Sequence, residues 1–67
     1  MKNILKTSLN GLTVSTIKIG RTYETMVLDR FGNELDVYET AYIKEANHNH
    51  SYCVAKYANQ RSCIHAI

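Results

Sequence analysis

The 67-residue sequence contains no proline and only three glycines. The missing proline diagnoses nothing by itself. The glycines stand singly at positions 11, 20 and 32, each readable as a turn, which excludes a glycine-rich phosphate loop. A long apolar run is also missing. Thr7, Ser8 and Asn10 interrupt the opening Met1-Lys2-Asn3-Ile4-Leu5-Lys6, which excludes a signal peptide or membrane span there and sets the expectation of a cytoplasmic protein. Cysteine is scarce. Without an export signal, Cys53 and Cys63 read as thiols rather than a bridge.

What is present is ordinary for a folded chain: 45% hydrophobic and 21% charged residues, with a net charge of +2. That charge is too small to argue for nucleic acid, but its distribution is segmental. All the acids (Glu24, Asp29, Glu34, Asp36, Glu39, Glu45) fall between positions 24 and 45, while Lys2, Lys6, Lys18 and Arg21 precede them. One surface should be acidic and another mildly basic. A single domain of this size sits where a core barely offsets the entropy of folding, so a homodimer is expected, helped by an open sheet edge.

The fold expected is α+β: a three-stranded antiparallel β-meander with one amphipathic C-terminal α-helix packed on one face. Residues 1–10 read as an N-terminal segment, 11–39 as the meander, 40–60 as the helix and 61–67 as a tail. The strongest local signal is Asp29-Arg30-Phe31-Gly32-Asn33, where Asp opens a type I turn and Gly takes positive φ in a hairpin with a bulge. With Asp29 opposite Asn33, a regular ladder pairs Val27 with Leu35, Thr25 with Val37 and Tyr23 with Glu39 on an apolar face. Leu28 with Glu34, Met26 with Asp36 and Glu24 with Tyr38 then point outward. Upstream, Leu12 to Ile19 is β-branched, and Ile17 and Ile19 are assigned to the apolar face. Leu12 and Val14 have the opposite parity, which calls for a bulge near Ser15-Thr16 or for an apolar patch on the outer face. After Glu39, the spacing of Ile43, Ala46, His50, Cys53, Val54 and Tyr57 marks the helix, with Thr40 as its N-cap.

Chemical motifs are weak. His48-Asn49-His50 places its two histidines about 200° apart on a helix, so they cannot serve one site. Cys53 with His50 is the one nucleophile–base candidate, but a pocket is not expected in so small a domain; the chain is read as no enzyme, with no catalytic residues and no cofactor. An alternative metal reading gathers His50, Cys53, Cys63 and His65 as a tetrahedral zinc set. Another alternative is a small nucleic-acid-binding module using Lys2, Lys6, Lys18, Arg21 and Tyr23, opposed by the acids of the hairpin.

From Tyr23 to Tyr57, the segments Glu24-Thr25-Met26-Val27, Gly32-Asn33-Glu34-Leu35-Asp36 and Glu45-Ala46, followed by His50, Val54 and Tyr57, resemble a loose set of short uncharacterised proteins of phage and prophage genomes. Members of that set look like a strand, turn, strand and helix with a histidine followed four residues later by Val. This chain departs from them with Ala41-Tyr42-Ile43-Lys44 in place of an acidic helix start, and with Asn49 where Gly often precedes the histidine. The resemblance implies an accessory protein that binds a host component in the host cytoplasm, and it carries over no catalytic residue.

The functional expectation is therefore protein binding, such as inhibition of a host factor or defence system, through an outer sheet face of Glu24, Met26, Leu28, Glu34, Asp36 and Tyr38. Acidic faces with apolar centres suit basic partners.

Overall fold

The computed structural model describes residues 2–66, with side chains described from 4 to 58. It is α+β: strands β1 (Lys2–Leu9), β2 (Leu12–Ile19), β3 (Thr22–Leu28) and β4 (Glu34–Thr40) precede helix α1 (Ile43–Ala66). The sheet is antiparallel in the order β1-β2-β3-β4, four strands rather than three. The N-terminal segment supplies the additional strand. Asn10 and Gly11, at φ 50° and 81°, form the two-residue turn that joins it to β2, a conformation with positive φ at both central positions that Asn-Gly favours.

The β3–β4 turn forms as the sequence dictates. Gly32 N–H donates to Asp29 O at 3.0 Å, and Asp29 N–H donates to Asn33 O at 3.0 Å. Gly32 takes φ 85°, where a Cβ would be strained. The Asp29 carboxylate accepts from the Phe31 and Asn33 backbone amides at 2.8 and 2.9 Å and from Asn33 Nδ2 at 3.0 Å. These donors hold its carboxyl below the usual aspartate range.

The ladder beyond the turn departs from the regular register. Leu28 pairs with Glu34 as expected, but an irregularity then makes Val27 face Asp36, Met26 face Val37, Thr25 face Tyr38 and Glu24 face Glu39. Leu35 is the extra residue. Because side chains alternate with period two, this single bulge turns Asp36 and Tyr38 toward the helix and Val37 away from it. The reason is visible on the helix side. There Asp36 receives hydrogen bonds from Lys56 and Tyr57, and Tyr38 packs edge-on against Tyr52.

The parity conflict in β2 resolves without a bulge, because β2 and β3 pair continuously from Thr13↔Leu28 to Ile19↔Thr22. Val14, paired with Val27, lies under the helix, and Ile17 and Ile19 take the other face, the reverse of the assignment made from the sequence. The helix-side core joins Val14, Val27 and Cys53, all fully buried, with Leu9, Tyr38, Val54 and Tyr57 packed against them. Ala46 and His50 complete the buried helical stripe at the expected three- and four-residue spacing.

The helix starts at Ile43, three residues later than the 40–60 expectation, and continues to Ala66, through most of the stretch read as a tail. Thr40 is not its N-cap. Ala46 N–H donates to Tyr42 O at 3.0 Å, which places the first helical bond at Tyr42. Thr40 instead braces the connection, its Oγ1 accepting from Tyr42 N–H at 3.2 Å and donating to Glu45 Oε1 at 2.8 Å.

Candidate functional site: two sheet faces of opposite character

The face beneath the helix carries a polar network beside its apolar core. His50, only 6% exposed, sits with Nε2 2.9 Å from Thr7 Oγ1 and Nδ1 2.9 Å from Thr16 Oγ1. Thr16 Oγ1 lies 2.8 Å from Thr25 Oγ1. One imidazole thereby ties α1 to β1 and β2 directly and to β3 through a hydroxyl relay, and every buried side-chain polar atom among the described residues has a partner. Burial pushes the His50 pKa below its ordinary value. Threonine hydroxyls donate or accept, so the relay satisfies a neutral ring in either tautomer.

Towards the edge, Asp36 Oδ2 accepts from Lys56 Nζ at 2.9 Å and from Tyr57 O–H at 2.8 Å. The Lys56 hydrogen bond, followed by that of Tyr57, lowers the Asp36 carboxyl, and the same pairing raises the Lys56 ammonium. For Tyr57, burial and then the Asp36 contact raise the phenol. Lys56 also lies 5.5 Å from the Tyr57 ring centroid. These contacts hold the helix to β4.

Cys53 is fully buried, and burial raises its thiol pKa, which keeps it in the protonated, weakly nucleophilic form. Of the alternative zinc set, His50 has both ring nitrogens at hydroxyls, and the Cys63 and His65 side chains lie outside the described residues. Among the described residues no three potential metal ligands gather. The nucleic-acid set is split. Lys18 and its cross-strand partner Tyr23 lie on the helix side, with the ammonium 5.9 Å from the ring, whereas exposed Lys6 pairs with Ser15 on the opposite face. Arg21 is in the turn, and the Lys2 side chain is outside the described residues.

The opposite face of the sheet is mixed, an apolar cluster set among charges and hydroxyls that include those of Ser8 and Thr13. Its central row runs Lys6, Ser15, Met26, Val37, and the adjoining rows carry Ile17 with Glu24 and Glu39, and Leu28 with Glu34. Ile17, at the centre, is 8% exposed; Val37 and Ile19 are 43% exposed, and Leu35 on the bulge 46%. Glu24 and Glu39 stand directly opposite one another, a like-charge cross-strand pair that costs stability unless a cation approaches. Lys56 with Asp36 is the ion pair recorded among the described residues, and it lies on the other face.

Of the six residues assigned to an outer binding face, Glu24, Met26, Leu28 and Glu34 are there; Asp36 and Tyr38 are not. The residues overlooked are Ile17, Ile19, Leu35 and Val37. For Ile17 and Ile19 a signal existed, in their opposite parity to Val14. For Val37 none did, because its side depends on a bulge with no Gly or Asn to mark it.

Comparison of the chain with family models, with curated proteins and with solved structures returns no match in any of the three.

Proposed function

We propose that this chain is a non-enzymatic accessory protein that works by protein binding, using the outer sheet face. The observation that carries the reading is the apolar cluster on the sheet face that the helix does not cover, where Ile19 and Val37, each 43% exposed, stand with Met26 and Leu28 among Glu24, Glu34 and Glu39. An apolar strip rimmed by carboxylates is the composition of an interface core with a polar rim. The resemblance to short phage and prophage proteins supports a role in host interaction, such as inhibition of a host factor, and the acidic rim of Glu24, Glu34 and Glu39 suits a basic target.

The test is capture from host lysate by immobilised wild type and Val37→Lys, each checked for an unchanged circular-dichroism spectrum. The expected outcome is one or a few species bound by wild type and lost with Val37→Lys. Identical recovery by both would contradict the reading.

A further inference from the structure

We infer that the free edge of β4 takes up an extended, lysine- or arginine-bearing segment of another protein as a fifth strand of the sheet. This rests on the reading of the chain as a protein-binding module and names the conformation and charge of its partner. β4 is the last strand in the order β1-β2-β3-β4, so every second residue along it turns its N–H and C=O away from β3. An extended backbone is what matches such a row of donors and acceptors; main-chain pairing supplies the affinity and alternate side chains the specificity. The bulge at Leu35 lies at the turn end, and from Asp36 to Thr40 the strand pairs with β3 without interruption, which leaves a regular edge for a partner.

Side chains select β4 over the other edge of the sheet. Exposed apolar groups flank it, with Leu35 at the bulge, Val37 on the outer face and Tyr52, edge-on to Tyr38, on the helix side. Among the described side chains no exposed large hydrophobic belongs to β1, whose edge carries Lys6 and a bulge after Asn3, features that discourage strand addition. The charges on β4 are one-sided: Glu34, Asp36 and Glu39, with no base. Lys56 already pairs with Asp36, whereas Glu39 faces Glu24 across the ladder. A cation on the incoming strand relieves that like-charge contact. The same acids disfavour β4 of a second copy, which would bring further carboxylates where a cation is required.

Selection of random peptides of about nine residues, long enough to span the strand, on the immobilised full chain tests this, followed by N-methylation of an enriched peptide. Enriched sequences should carry lysine or arginine and no central proline, and the bound peptide should shift the amides between Asp36 and Thr40 and protect them from exchange. N-methylation of one alternate set of peptide amides should weaken binding at least roughly tenfold, because several hydrogen bonds are lost together, and of the other set less than about twofold. Glu39→Gln should weaken binding roughly two- to fivefold. Equal losses for the two N-methylated sets, shifts centred on β1 or on Met26 instead of β4, or failure to enrich any peptide binding below about 1 mM overturns the inference. If no peptide pairs with β4 while Val37-dependent capture from lysate persists, the edge is wrong and the outer face stands. If peptides pair with β4 but capture is indifferent to Val37→Lys, the edge stands and the reading of the outer face falls.

Discussion

At His50, two threonine hydroxyls from different strands converge on one buried ring, and the energetic consequence runs against simple hydrophobic arithmetic. Replacing Thr16 by the isosteric Val adds apolar area at a fully buried position, but it leaves His50 Nδ1 and the Thr25 hydroxyl without a partner. Thr16→Val should therefore lower stability by about 1–3 kcal/mol, measured by urea unfolding. The ring also sets a pH dependence. Its folded-state pKa is depressed, so the unfolded chain takes up a proton first as pH falls below the ordinary value of 6.5. The stability His50 contributes is thus complete above that value and is lost as pH falls through the folded-state pKa. Melting curves from pH 7.5 to 5 should fall more steeply for wild type than for His50→Gln; parallel curves would place the titration elsewhere. The sequence made His50 legible as a member of the packed helical stripe, which the structure bears out. Its hydroxyl partners were illegible, because Thr7 lay in a segment not read as a strand and Thr16 carried no face assignment.

Among the elements, β4 shows how much depends on one residue. The turn at Asp29, the pairing of Leu28 with Glu34 and the 3.6-residue stripe of α1 all follow from local chemistry: an Asx-stabilised turn, a glycine at positive φ and apolar spacing. The Asn10-Gly11 turn was equally local and equally visible, and reading it would have supplied the fourth strand. The bulge at Leu35 was not local. It forms where tertiary contacts of Asp36 and Tyr38 with Lys56, Tyr57 and Tyr52 outweigh a regular ladder. Deleting Leu35 should accordingly leave residues 36–40 on their present faces and the fold intact, whereas deleting Val37 inverts Tyr38 to Thr40 and should abolish cooperative thermal unfolding. Equal tolerance of both deletions would show that the register is not specified by these contacts.

For the whole molecule, two layers within Cα extents of 42 × 24 × 14 Å leave one sheet face without a covering element among the described residues. No helix among the described residues is long and apolar enough to cross a membrane. The exposed Ile19 and Val37 on that face, beside Met26 and Leu28, make association the account's central claim. It is tested most directly by methyl NMR of the labelled chain titrated with the protein it captures. The account predicts shifts or broadening concentrated at Ile19, Met26, Leu28 and Val37. Changes confined to residues beneath the helix, such as Val14 and Val54, would contradict it.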